Sequence, residues 1–191
     1  MNEYSLQSLL ASHISVAQQL YQHVDELDAI QQAITNTLKK KGKILLAGNG
    51  GSAGDAQHIA AEFIGRFKTE RRALPAIALT TDTSILTAVG NDYGYEEIFS
   101  RQVEGLCLSE DCFIGISTSG NSPNIIKAFS KAKEIGALTI GITGGTGGKM
   151  KKIKELCDHI FIVPSNDTAR IQEMHIFAGH AICELIDKKT W

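Results

Sequence analysis

Proline is scarce, at 3 of 191 residues, and aromatic residues make up only 6%. The first shortage excludes a collagen-like or proline-rich chain. Neither charge sign dominates, with 19 Lys and Arg against 21 Asp and Glu. A chain held mainly to phosphate backbones is basic, so nucleic acid is not expected as a partner. No run approaches the ~18 apolar residues that span a bilayer. The stretch from Met1 to Val24 lacks a basic segment followed by an apolar core, so a signal peptide is not expected either. Cysteine is present as Cys107, Cys112, Cys157 and Cys183, without CxxC spacing. These read as reduced packing residues of a cytoplasmic chain rather than disulfides or zinc thiolates.

What the chain has in excess is glycine, 18 of 191 residues, above a usual share of roughly 7%. Together with 43% apolar and 21% charged residues, this is the composition of one folded domain with tight strand-to-helix turns. Two helical patterns come first. Leu6, Leu9, Leu10, Ile14, Ala17 and Leu20 recur at steps of three and four, and Leu27, Ile30, Ala33, Ile34 and Leu38 repeat the pattern. This pair, residues 1–41, is expected to cover a sheet or pack on another subunit. The basic runs Lys39–Lys41 and Lys149–Lys154 read as solvated helix ends.

From residue 42 apolar strands alternate with helices. Strands are expected at Lys43–Ala47, Pro75–Leu79, Cys112–Ile116, Leu138–Ile142 and Ile160–Val163. Helices are expected from Ser52 to about Arg66, over Ser84–Gly90, Glu96–Leu106 and Pro123–Ile135, and from about Thr168 to Lys188. Continuously apolar strands separated by helices imply a parallel sheet covered on both faces. Residues 42–191 are thus one α/β core, and no composition shift divides the chain.

In such folds ligands bind beyond the carboxyl ends of the strands. There Ser117-Thr118-Ser119-Gly120-Asn121-Ser122 offers four hydroxyls at a helix start, more than one cap requires, and suits a phosphate. Ser122 is placed at the N-cap, with Pro123 opening the helix. Gly48-Asn49-Gly50-Gly51-Ser52 lies in a similar position but lacks the later glycine and acidic partner of a dinucleotide site. Gly144-Gly145-Thr146-Gly147-Gly148 reads as a flexible turn. His58 and Glu62, four apart, share one helix face and suit either a surface pair, a metal or a general base. On the last helix Gln172, Ile176 and His180 form one stripe, read as core-facing, with His175 turned away.

Taken together, these segments, with Gly90-Asn91-Asp92 and Arg170-Ile171-Gln172-Glu173, resemble the phosphoheptose isomerase family over essentially residues 1–188. The resemblance implies a single sugar-isomerase (SIS) domain with a flavodoxin-like five-stranded parallel sheet. It implies interconversion of sedoheptulose 7-phosphate and D-glycero-D-manno-heptose 7-phosphate, early in bacterial heptose synthesis for lipopolysaccharide or capsule. It assigns Glu62 as general base and His180 as its acid/base partner. Substrate contacts fall on Asn49, Gly50, Gly51, Glu62, Asn91, Asp92, Ser117, Thr118, Ser119, Ser122 and Gln172. One zinc ion per subunit is expected on His58, Glu62, Gln172 and His180, in a homotetramer with sites at subunit interfaces. Base and ligand are competing roles for Glu62, because coordination lowers basicity. The alternative is a non-catalytic relative that binds the replication initiator DnaA; it lacks the counterparts of Glu62 and His180.

Overall fold

The structure, a computed structural model, describes residues 5–153 and 155–191. Lys154, within the second basic run, lies outside them. Helix α1 (Leu6–Gln19) and α2 (Val24–Lys39), joined by a 3-10 turn at Leu20–His23, precede the sheet. Then come β1 (Ile44–Gly48), α3 (Gly51–Ile64), β2 (Ala76–Ala78), α4 (Thr83–Tyr93), α5 (Ser100–Leu106) and β3 (Cys112–Ser117). The chain ends with α6 (Pro123–Ile135), β4 (Leu138–Gly144), the short α7 (Gly148–Lys152), β5 (His159–Val163) and α8 (Thr168–Asp187).

All strand pairings are parallel, in the order β2-β1-β3-β4-β5. Strand side chains alternate between two cores, as the pleat requires. Ile44, Leu46, Ile114 and Ile140 join residues of α1, α2, α3 and α8. Leu45, Ala47 and Phe113 face the other way, onto α5 and α6. The result is the three-layer α/β architecture the sequence predicts. Its order reverses between β1 and β3, and there the carboxyl ends of neighbouring strands diverge into a crevice.

Three expectations are corrected. Helix α4 runs through Asn91 and Asp92 and stops at Gly94, whose φ of 92° only glycine adopts readily. Glu96–Leu106 is not one helix: a 3-10 turn at Tyr95–Glu97 precedes α5. The Ser100 hydroxyl bonds back to the Glu97 carbonyl and carboxylate, offering the backbone an alternative to helix at that point. The stripes of α8 are also reversed. His175 is fully buried beside Ile171, Met174, Ala178 and Ile182, whereas His180 is half-buried and faces α3.

His175 Nε2 donates to the Thr143 carbonyl (3.1 Å), and Nδ1 has no partner among the described residues. Burial pushes this imidazole down from 6.5 to about 4. The folded state holds it neutral while the unfolded chain binds a proton below 6.5, so its contribution to stability is lost as pH falls from about 6.5 to about 4. The loss amounts to about 3 kcal/mol. In urea unfolding, the stability gap between wild type and His175→Gln should narrow by about 2–3 kcal/mol from pH 7.5 to 4.5; a constant gap contradicts this reading.

The cysteines are free thiols, with Cys107, Cys112 and Cys183 buried. Burial raises Cys107 to about 11 and Cys157 and Cys183 to about 12. They stay protonated and serve packing. Among the described residues no helix is long and apolar enough to cross a membrane.

Candidate active site

The serine loop leaves β3 at the crevice. Ser122 stands at the N-cap of α6 with Pro123 at the first helical position, as predicted, but its hydroxyl makes no capping bond. It pairs instead with the Ser117 hydroxyl at 2.9 Å. A loop that merely capped its helix would do the reverse, and the positive end of α6, left without a Ser122 cap, suits an anion. The glycine-rich segment after β4 is not a loose turn. Gly120 (φ 65°) accepts from the Met150 amide at 3.0 Å, and a Cβ on it would lie 2.2 Å from the Gly147 carbonyl oxygen. This segment is packed beneath the serine loop. Thr118 and Ser119 open onto a cavity of about 230 Å³ shared with Thr146 and Asn166.

Across the crevice, Asn49 follows β1. Its amide forms a reciprocal pair with Asn124 in the first turn of α6, both bonds 2.9 Å. The Tyr95 hydroxyl meets Asn49 Oδ1 at 3.1 Å. Gly50 is exposed. Gly51 opens α3, and its missing side chain leaves room for Gln172, whose Nε2 lies 2.5 Å from where a Cβ would stand. Asn91 donates to Asp92 (2.8 Å); both are exposed on the last turn of α4.

Helices α3 and α8 pack side by side in the same direction, Gly51 against Gln172 and Ile59 against Gly179. A glycine at 179 allows the close approach: a Cβ there would lie 2.6 Å from Ile59. This register sets His180 opposite His58. His58 Nε2 is 3.2 Å from Glu62 Oε1, one turn on, and 3.3 Å from His180 Nε2. The three donor atoms lie within 4.8 Å of one another. Ligands at 2.0–2.1 Å around tetrahedral zinc stand about 3.3 Å apart, so two imidazoles and a carboxylate at these spacings fit a divalent cation with an open position. Gln172, the fourth expected ligand, sits about 10 Å along α3 from His58, judged by the helical rise between Gly51 and His58.

Two neighbours fix this cluster. Phe67 stacks on the His180 ring, centroids 5.1 Å apart and planes 27° apart. Phe67 is held in turn by Asp187, which accepts from the amides of Phe67 (3.1 Å), Lys68 (2.7 Å) and Thr69 (3.0 Å) and pairs with Arg71 (2.7 Å). One turn before His58, Asp55 carries a buried oxygen, Oδ2, with no partner among the described residues. Burial raises its pKa, and the nearby His58 lowers it in part. Phe67, Asp55, Asn124 and Tyr95 were not among the expected site residues. Only Asp55, three residues before His58 on the same face, had a local signal.

The SIS domain model matches residues 11–144. The chain is 54% identical to the phosphoheptose isomerase of Aliarcobacter butzleri (strain RM4018), covering 99% of this chain and 98% of that one. It is 61% identical to the phosphoheptose isomerase of Aquifex aeolicus (strain VF5), over 81% and 80%. The solved phosphoheptose isomerase of Neisseria gonorrhoeae superposes with a TM-score of 0.90 at 44% identity, covering 96% and 97% of the two chains. That of Francisella tularensis gives 0.92 at 36% identity, with the same coverage. Fold and kinship thus agree, and the chain belongs to the phosphoheptose isomerase family of SIS-domain proteins.

Proposed function

We propose that this chain converts sedoheptulose 7-phosphate to D-glycero-D-manno-heptose 7-phosphate, supplying heptose for lipopolysaccharide core or capsule. The observation that carries the reading is the meeting of Glu62 with His58 and His180 across α3 and α8. Ketose-to-aldose conversion moves a proton from C1 to C2 through an enediolate, which needs a carboxylate beside the carbons and a second group at the oxygens. Glu62 serves the carbons and His180 the oxygens and ring opening. The serine loop anchors the phosphate at the start of α6, and Asn49, Gly50, Gly51, Asn91, Asp92 and Gln172 hold the sugar chain.

His58, Glu62 and His180 would hold the zinc ion, and Gln172 would join them only by leaving Gly51. Zinc held there would supply a Lewis acid for the sugar carbonyl and charge stabilisation for the developing oxyanion. The two roles of Glu62 are reconciled by its two oxygens: Oε1 is turned into the cluster, while Oε2 has no partner among the described residues.

A homotetramer is supported by what the chain leaves uncovered. Leu6 is 85% exposed and Tyr21 83%, and Ile14, Val24, Phe177 and Leu185 edge an apolar groove of about 480 Å³. Helix α4, which carries Asn91 and Asp92, buries no residue. An apolar face of this extent marks a protein contact, which a second subunit would cover. Free buried thiols favour the cytoplasm.

The test is incubation with sedoheptulose 7-phosphate, following aldose formation, after chelation and after zinc is restored. Aldose should form, with a rate that falls at least about tenfold on chelation and recovers with zinc. No aldose under any condition would favour the DnaA-binding alternative, which the kinship with phosphoheptose isomerases does not support.

A further inference from the structure

The amide of Asn49 has two possible orientations, and the bonds around it admit one. Ile125 N–H reaches Asn124 Oδ1 at 3.0 Å. That N–H is shared with the Ser122 carbonyl at 3.1 Å, but an NH2 in the position of Asn124 Oδ1 would set donor against donor, so that atom of Asn124 is its oxygen and the other is its NH2. The NH2 therefore donates to Asn49 Oδ1, and Asn49 Nδ2 donates back to Asn124 Oδ1. With Asn49 Oδ1 established as an acceptor, the Tyr95 hydroxyl at 3.1 Å must be the donor. Each step follows from the one before, starting at a backbone atom that cannot turn over.

Two features make the arrangement firm. Asn124 is 2% exposed, so the reciprocal pair is shielded from water on the α6 side. The three residues come from separate segments that converge at the reversal of strand order: the connection after β1, the connection after α4 and the first turn of α6. One Nδ2 hydrogen of Asn49 and the lone pairs of the Tyr95 oxygen have no partner among the described residues, and Tyr95 is 63% exposed.

We propose that Asn124 is a positioning residue that locks the Asn49 amide with its donor toward the sugar, and that Tyr95 is a specificity-determining residue whose phenol oxygen accepts from a sugar hydroxyl. The crevice then offers a fixed donor beside a fixed acceptor, a pattern that one hydroxyl of a polyol chain satisfies in both directions. The proposal rests on the sugar-phosphate reading above for the ligand, but not for the orientation.

A double-mutant cycle on kcat/KM for sedoheptulose 7-phosphate tests the positioning role. Asn49→Ala and Asn124→Ala should each lower kcat/KM about tenfold, chiefly through KM, as loss of one hydrogen bond implies. The double variant should fall within about twofold of Asn49→Ala alone, because Asn124 acts only through Asn49. Tyr95→Phe should raise KM about tenfold and leave kcat within about twofold. Multiplying effects in the cycle, an Asn124→Ala enzyme equal to wild type, or an unchanged KM in Tyr95→Phe would overturn the proposal. Neutron diffraction from deuterium-exchanged wild-type crystals decides the orientation without activity or a folded variant. It should show the Tyr95 deuteron on Asn49 Oδ1; a flipped Asn49 amide would overturn the proposal even if the sugar is turned over. A wild-type protein that never turns over the sugar would count against the ligand reading alone.

Discussion

Glu62→Gln is expected to lower kcat by about 10²–10⁴-fold, the range a positioned general base supplies. The substitution keeps shape and keeps an oxygen acceptor for His58 Nε2, now 3.2 Å away. What it removes is the basic lone pair on the second oxygen. On the proposed reading the serine loop and the Asn49 side of the crevice carry sugar binding, so KM should change little. Because Glu62 is also placed as a metal ligand, the variant should be assayed at saturating zinc. A rate that zinc fails to restore assigns the loss to the missing base. Recovery of more than a tenth of the wild-type rate would instead make Glu62 a ligand only.

Asp187→Asn should destabilise the protein by about 3–5 kcal/mol, the usual effect of removing one partner of a buried ion pair. The Arg71 and Asp187 side chains are 5% and 1% exposed. Asparagine leaves the guanidinium buried without its counter-charge and cannot accept as strongly from three backbone amides. Burial by itself would raise the Asp187 carboxyl; the Thr69 and Lys68 amides and Arg71 outweigh it and hold it below the usual carboxylate range. Its contribution is thus present above about pH 4 and is lost as pH falls through the depressed value. Urea midpoints at pH 7 give the magnitude, and a loss below about 1 kcal/mol would contradict it. A second readout follows from Phe67. Loosening the 66–69 segment frees the ring that stacks on His180, so kcat should fall at temperatures where the variant is still folded.

These residues show what can be read from a sequence and what cannot. The strands were legible because both faces of a parallel sheet are apolar. Helix α6 was legible to the residue, because Pro123 opens it and Gly136, at φ 89°, closes it. Within the site, His58 and Glu62 were paired by helical spacing alone. His180 required kinship, since only packing tells which stripe of α8 meets α3. His175 shows the difficulty: its neighbours at 171, 174, 178 and 182 define the buried stripe, yet a polar side chain adjacent to that stripe gives no sign of joining it. Asn124 and Phe67 were illegible for another reason. Their partners lie far along the chain, and nothing local distinguishes an asparagine that orients another from one that faces water.

Proton transfer through an enediolate, with the Glu62 carboxylate as base, is the chemistry proposed for this site. Running the conversion of sedoheptulose 7-phosphate in deuterium oxide and reading the label on C2 of the aldose follows that proton. Deuterium is expected on C2, because the proton taken from C1 passes through an exchangeable carboxyl group. Complete retention of the original C1 hydrogen at C2 would contradict transfer through an exchanging carboxyl group.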